Sequence, residues 1–436
     1  MKILLKNMDV ISSDTDNMLL KNAYVAITDD IITTVSTREE DVANFEPDKV
    51  FQGTKFLAMP GLVNAHTHTP MTILRNYADD LALEDWLFNH IFPAEAKLTP
   101  EDIYWGSMLA MAEMIRTGTT SFADMYYFTD ETAKAVEESG MRATLSKSAY
   151  AFEFGSEGVK FIDQREDYKA FHTKWNHAAE GRIKTYVLIH SPYIYDMESM
   201  TNSASFAKEM NTGIHIHILE TMKEVRDTTA KYGKDGASAC LDAGVYDVPV
   251  LAAHCVHVSE ANIQMFADKK VNVIHNPSSN LKLGSGIAPI PAMLEAGINV
   301  ALGTDGTASN NNLNMFEELH LASLIHKGAA QDPLLVSAKE AILMATVNGA
   351  KALGFEKEVG TIAVGKKADI ILIDLDKIHL TPYNNPLSTL AYSVQGSDVD
   401  TVIINGKIVM ENCEIKTLDI ERIKKEVTKI LHRISS

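Results

Sequence analysis

Eight short apolar runs, near 61–66, 119–124, 142–147, 185–190, 213–218, 249–254, 271–275 and 298–304, alternate with longer stretches of helical spacing such as 101–116. This alternation constrains the fold more than any other feature. Short runs that are apolar throughout suit strands buried on both faces, and parallel strands need helical crossovers between them. Eight consecutive βα units close on themselves, so the expected fold class is α/β, a (β/α)8 TIM barrel.

The flanks have a different texture. Residues 1–56 lack helical periodicity and carry β-rich runs at 23–28 and 31–35, broken at Asp29-Asp30. The same pattern returns at 369–374 and 402–409, where Asn405-Gly406 is a hairpin signal. The expected organisation is a small β-sandwich domain formed by both chain ends, 1–56 and 362–436, around a barrel of 57–361. Its last part is a charged amphipathic helix, Leu418 to Ile434, read as a packing or oligomer helix. The apolar run 57–63 reads as one buried strand entered through the turn at Pro60-Gly61.

Barrels of this type place their chemistry at the C-terminal strand ends, and His66, His190, His217, His254 and Asp305 all fall there. In a strand, residues i and i+2 share a side, so His66 and His68 present two imidazoles to one centre. A lone histidine on an apolar strand is as often a satisfied core residue as a ligand. Fifteen histidines scattered over 436 residues would give fewer than one His-x-His pair, whereas the chain has two, the second being His215 and His217. Four fragments ending four apolar runs (His66-Thr67-His68, His217 to Glu220, His254 and Asp305) read together as a metal site with its own acid and base. Imidazole and carboxylate are the donors that zinc accepts when one position stays open for water, so the reading is a hydrolytic enzyme. Barrel strands distant in sequence meet at the mouth, so a separation of about 240 residues is no obstacle.

The balance of 40 basic against 58 acidic residues, net −18, repels phosphate backbones and anionic membranes. Nucleic acid polymers and membranes are therefore not expected partners. Three dispersed cysteines, Cys240, Cys255 and Cys413, fit a reducing compartment, and 1–7 is too short in apolar residues for a signal core; a cytoplasmic location is expected. Gly284-Ser285-Gly286 lacks the remaining glycines and the lysine of a phosphate loop. Cys255 reads as a small buried hydrophobe, and 310–312 as helix capping before Leu313. For His257 and His275, supporting and plain core or loop roles stay equally open. No segment identifies an oligomer interface, and a homo-oligomer is left open.

His66-Thr67-His68 after 60–65, His217-x-x-Glu220-Thr221, 253–257, His275-Asn276-Pro277 with 280–284, and Gly303-Thr304-Asp305-Gly306 closely resemble the amidohydrolase superfamily. Asp85-Trp86-Leu87 to Pro93-Ala94-Glu95, and His190-Ser191-Pro192-Tyr193, make the chain similar to its 5-methylthioadenosine/S-adenosylhomocysteine deaminases. The resemblance spans nearly the whole chain. It implies a single zinc held by His66, His68, His217 and Asp305, since 187–190 offers no bridging lysine. It implies catalysis by Glu220, His254 and Asp305. It further implies a purine nucleoside pocket in which Glu95 grips ribose hydroxyls, His190 and Glu220 contact the purine, and Trp86 lines the wall or is plain core.

The expected reaction is zinc-dependent hydrolytic deamination of an adenosine thioether to the inosine analogue with release of ammonia. The alternatives are an aminohydrolase or chlorohydrolase acting on guanine, a pterin or a triazine, and, more remotely, a metal-stabilised binding protein without turnover. Members taking S-adenosylhomocysteine usually carry arginine after the third strand, where this chain has Ser146-Lys147-Ser148, with Lys160 farther on. Lysine is a point charge and not a bidentate fork, so carboxylate recognition is expected to be weaker or differently arranged.

Overall fold

A computed structural model describes residues 1–14, 17–155 and 158–435. Eight strands run in chain order around one sheet: β1 (Leu62–Thr67), β2 (Thr119–Met125), β3 (Arg142–Ser148), β4 (Ile183–Leu188), β5 (Ile214–Ile218), β6 (Val250–His254), β7 (Asn272–His275) and β8 (Asn299–Leu302). All neighbours pair in parallel. Each strand falls on one of the eight expected runs. Every residue of β1, β2, β5, β6 and β7 is buried, which is why these strands read as unbroken apolar runs.

The sheet closes between β8 and β1. The amide of Asp305 donates to His66 O at 3.0 Å, and the Asn64 side chain both donates to Thr304 Oγ1 (2.7 Å) and accepts from Thr304 N (3.0 Å). Gly303 permits this approach, because a Cβ there would lie 2.6 Å from Asn276 Oδ1 and 2.8 Å from His66 N. Helices cover the outside. In Pro100–Arg116, Thr99 and Asp102 cap each other reciprocally and Pro100 opens the first turn, while Met108, Met111, Ala112 and Ile115 form the inward stripe.

Both chain ends build a second, nine-stranded sheet. Its central strands, Phe56–Pro60 and Ile370–Asp374, pair antiparallel, and Phe56–Pro60 runs parallel to Lys2–Ile11. Alternate residues face two cores: Ala58, Ile370, Leu372 and Ile403 join Ile3, Leu5, Val25 and Ile27, while Leu57, Met59, Ile371, Ile373 and Val402 join the main core against the barrel. The hairpin signal is met by Val399–Ile404 and Lys407–Glu411, with Asn405 and Gly406 both left-handed at the turn.

The run 57–63 is two strands and not one. Gly61 N donates to Asp369 O in the terminal sheet, while Leu62 N already donates to Gly118 O in the barrel. A side chain at Gly61 would strike Thr120, its Cβ lying 2.1 Å from Oγ1. The last helix, Ile420–Ser435, packs on its own chain: Ile423, Ile430 and Ile434 are buried, Arg422 stacks 5.0 Å over Trp105, and Arg433 pairs with Asp102. Among the described residues, no helix is long and apolar enough to cross a membrane.

Candidate active site

At the C-terminal mouth of the barrel, three imidazoles converge edge-on. His68 Nδ1–H donates to Met125 O (2.7 Å) and His217 Nδ1–H to His190 O (2.8 Å). His66 Nδ1 lies 2.8 Å from His215 Nε2, and His215 Nδ1 lies 3.1 Å from Ser146 Oγ, so a relay of Nδ1–H donors ends on the serine. With each Nδ1 so engaged, each Nε2 turns a lone pair inward. The Nε2 atoms of His68 and His217 are 3.3 Å apart, and both His66 and His68 place Nε2 3.2 Å from Asp305 Oδ1. His66 Nε2 is fully buried and has no hydrogen-bond partner among the described residues.

Asp305 follows β8, next to His66 at the seam of the barrel, and is held in a left-handed conformation, φ 64°. Its Oδ2 accepts hydrogen bonds from Ser279 Oγ and Ser309 Oγ, each at 2.7 Å, which leaves Oδ1 for the centre. Burial would raise its pKa, yet His66 and His68 hold it well below the usual carboxylate range. Burial keeps His66 neutral, down at about 4, and pushes His217 well below its ordinary value. His68 is the exception: burial lowers it, but Asp305 outweighs that and lifts it to about 9. Three inward Nε2 atoms and one inward carboxylate oxygen fit a divalent cation, which would take the place of the proton that Asp305 draws onto His68.

Glu220 and His254 stand beside this centre. His254, φ 73°, donates from Nδ1 to Asn280 Oδ1 (2.9 Å) and turns Nε2 to within 3.8 Å of Glu220 Oε2. Glu220 follows Leu219, itself left-handed at φ 53°, and this turn is held from beneath by one side chain. The Glu224 carboxylate accepts the amides of Leu219 and Glu220, both at 2.8 Å, and its burial raises it to about 7. Strained backbone at Leu219, His254 and Asp305 costs about 1–3 kcal/mol per residue, and it re-aims three chemical groups at one point.

A cavity of about 760 Å³ opens over the centre, lined by His68, His217, Glu220, His254 and Asp305 on its floor and by Trp86, Glu95 and His190 on its walls. Every site residue expected from the sequence therefore reaches one cavity or its floor. Glu95 is buried, accepts a short hydrogen bond from Tyr126 OH, and is pushed by burial up to about 7. Burial, reinforced by the neighbouring histidines, lowers His190 to about 3, so it is neutral; its ring meets Phe152 edge-on at 5.6 Å. The indole N–H of Trp86 is buried with no acceptor among the described residues.

Several contributors are absent from the sequence reading. Ser279, Ser309, Glu224 and Tyr126 carry no motif, and each acquires its role only from the fold; Asn280 lies in a segment of the family resemblance, which by itself assigns it no role. The hairpin Tyr150–Gly155 with Gly158–Asp163, inserted after β3, lays Phe152 over the cavity. One reading is corrected: 310–312 do not cap the next helix. Asn314 caps it, accepting from Phe316 N, while Asn310 donates to Thr304 O and Glu318, both at 2.7 Å, and so braces the Asp305 turn. Of the two open histidines, His275 packs 3.3 Å from His326 in the core, and His257 holds the 284–286 loop through Ser285 O (2.7 Å).

A barrel carrying histidines and one aspartate at its mouth, with a sheet from both chain ends, defines a class, and comparison with known proteins gives the same one. Residues 57–409 match the model of the amidohydrolase family. The chain belongs to that family. It is 55% identical over 434 residues, all of both chains, to a 5-methylthioadenosine/S-adenosylhomocysteine deaminase of Acetivibrio thermocellus. It is 47% identical to a 5'-deoxyadenosine deaminase of Methanosarcina acetivorans, covering 97% of this chain and 96% of that one. Among solved structures, an adenosine deaminase from Xanthomonas campestris with bound zinc superposes at TM-score 0.93 with 33% identity, over 99% and 98% of the two chains.

Proposed function

We propose that this chain hydrolyses the exocyclic amine of an adenine nucleoside carrying a small 5′ substituent, with 5-methylthioadenosine as its preferred substrate, to give the inosine analogue and ammonia. As an amidohydrolase it is a metal-dependent aminohydrolase. The observation that carries the reading is the inward aim of His66, His68, His217 and Asp305 beside a buried acid, Glu220, on the floor of one cavity whose walls carry Glu95, His190 and Trp86. These four would hold one cation, for which zinc suits the nitrogen and oxygen donors. Such a cation, when bound, supplies the positive charge that makes a water acidic near neutral pH.

The chain's own groups do the rest. His254, fixed by Asn280, orients the attacking water, and Asp305, anchored through Oδ2, takes its proton at Oδ1. Glu220 gives a proton to the ring nitrogen beside the amine-bearing carbon, so the negative charge that develops there is quenched as the new C–O bond forms. Asp305 then gives the proton it took to the amine, the C–N bond breaks and ammonia leaves, and Glu220 is reprotonated by the new hydroxyl as it becomes the carbonyl of the inosine analogue. Neutral His190 contacts the purine, Trp86 lines the wall, and Glu95 accepts from the ribose hydroxyls. The barrel carries the whole site, and we read the remaining unit, 1–61 with 362–436, as a separate structural domain, since the strand Phe56–Pro60 pairs in the terminal sheet.

The 5′ end points to a second space, about 1480 Å³, that adjoins the first through Glu95, Tyr126, Tyr127, Ser148, Phe92 and Phe152. Its one lining cation among the described residues, Lys147, is already paired with Asp167 at 2.8 Å and Asp130 at 3.7 Å, and Glu153 adds a further negative charge. A substituent ending in a carboxylate meets no free cation there, so methylthio and methyl groups suit it better than a homocysteine tail. The test is loss of adenine absorbance with parallel ammonia assay on 5-methylthioadenosine, 5′-deoxyadenosine, S-adenosylhomocysteine, adenosine and guanine, using zinc-loaded protein. Turnover led by the first two supports the reading. Ammonia from guanine alone, or from no nucleoside, overturns it, and S-adenosylhomocysteine in the lead overturns the reading of the 5′ space.

A further inference from the structure

The end of β2 makes two hydrogen bonds from adjacent residues to opposite ends of the cavity. Met125 O receives Nδ1–H of His68 at 2.7 Å, at the metal-site floor. Tyr126 OH donates to Glu95 Oε1, on the wall assigned to the sugar. The Tyr126 ring is buried and lies 6.3 Å from the His68 ring, packed edge-on to Tyr127 at 5.1 Å, so it is held between the two ends. Glu95 is carried by the short helix Phe92–Glu95 after the Trp86–Ile91 turn, outside the barrel, and among the described residues Tyr126 is its one side-chain hydrogen-bond partner.

We propose that Tyr126 is a positioning residue that sets the sugar-binding carboxylate in register with the metal-site floor, and so makes the enzyme selective for ribonucleosides over 2′-deoxynucleosides. The inference rests on the reading of Glu95 as the ribose clamp. A carboxylate has two oxygens. With Oε1 taken by Tyr126, Oε2 is left for the sugar, and its direction is fixed because rotation about the terminal torsion would break the first bond. Without the tyrosine hydroxyl, Glu95 has no fixed rotamer and its height above the floor depends only on the Phe92–Glu95 turn. The purine amine sits at the floor and the 2′-hydroxyl at the wall, so loss of register weakens the hydroxyl contact while leaving the acid and the metal donors in place.

The matched pair 5′-deoxyadenosine and 2′,5′-dideoxyadenosine differs by that hydroxyl alone. Wild-type protein is expected to favour the first in kcat/KM by about a hundredfold or more, the scale of a charge-assisted hydrogen bond in a dry site. Tyr126→Phe is expected to cut this preference by roughly tenfold, through a raised KM for 5′-deoxyadenosine with kcat changed less than KM. Glu95→Gln should remove most of the same preference, and the double variant should add little to it. A Tyr126→Phe protein in which both substrates lose kcat/KM in equal proportion, or in which the preference is kept, overturns the proposal and leaves the tyrosine a packing residue. If wild-type protein turns over both substrates equally, the ribose clamp fails and the proposal with it, while the deaminase reading stands. If neither substrate is turned over, both fall.

Discussion

At the scale of single residues, the site works by giving each group one free atom. Asp305 has one oxygen tied to two serines, His254 one nitrogen tied to Asn280, and Glu95 one oxygen tied to Tyr126, so the remaining atom of each has a fixed direction. Glu220 is the exception in kind, since its backbone and not its side chain is what Glu224 holds. Glu220→Gln keeps that backbone and the metal donors but cannot pass a proton; turnover is expected to fall by about 10³-fold or more, with metal content unchanged by elemental analysis. Turnover within a few-fold of wild type would remove Glu220 from its role. Glu95 gives a pH test. Burial raises its pKa to about 7, and in the proposed role the ionised form accepts the ribose hydroxyls, so KM for a ribonucleoside should fall as pH rises from 6 to 8. The titratable groups that interact with Glu95 are Tyr126, Tyr127 and His68, and Glu95→Gln should flatten the profile if the carboxylate is its source. His66 and His68, two of the proposed metal donors, are legible in sequence because i and i+2 spacing at a strand end has few other uses; the same spacing at His215 and His217 does not tell which of the two faces the centre, and there the family resemblance decides. Ser279, Ser309 and Glu224 are not legible, because a serine or glutamate in a turn means nothing until the fold shows which atom it holds.

At the scale of elements, legibility followed burial. The barrel strands are covered on both faces, so their composition alone marks them, and all eight fall where the apolar runs lie. The central strands of the terminal sheet are also buried on both faces, and for that reason 57–63 reads as one strand although the chain changes sheets at Gly61. The hairpin 150–163 leaves no such mark. In its first strand the aromatic residues alternate with small or charged ones, Ala151, Glu153 and Gly155, and Phe152 and Phe154 find partners outside the hairpin, in Phe92 and Phe88. That packing makes the hairpin the roof of the cavity. Phe152→Ala removes the face that meets His190 and should raise KM for every nucleoside tested by roughly tenfold, with metal content and melting temperature little altered. An effect confined to the nucleosides with long 5′ substituents would instead place Phe152 only in the neighbouring space.

At the scale of the whole molecule, the barrel and the terminal sheet are joined through a buried ion pair. Arg142, at the start of β3, reaches Asp369 through Nε at 3.0 Å and a terminal nitrogen at 3.2 Å, and its guanidinium lies 5.1 Å over Phe355. Both side chains are almost wholly buried, at 2% and 1% exposure. Asp369 also accepts the amide of Asn405 at 2.8 Å, which ties the hairpin of the last strands to the same point. Two desolvated charges in contact need not add stability over an apolar pair of the same shape, but removing one leaves the other buried and alone. Arg142→Met is therefore expected to cost about 3–5 kcal/mol, read as a lowered denaturation midpoint, with the metal content of the folded fraction retained. The paired change Arg142→Met with Asp369→Leu should recover part of that loss. Full recovery is not expected, because Asn405 N–H then has no acceptor and a buried unpaired amide costs about 1–3 kcal/mol. If the paired change is no more stable than Arg142→Met alone, the junction depends on the shape of these side chains and not on the unpaired charge. In that case the ion pair is not what holds the terminal sheet to the floor of the barrel.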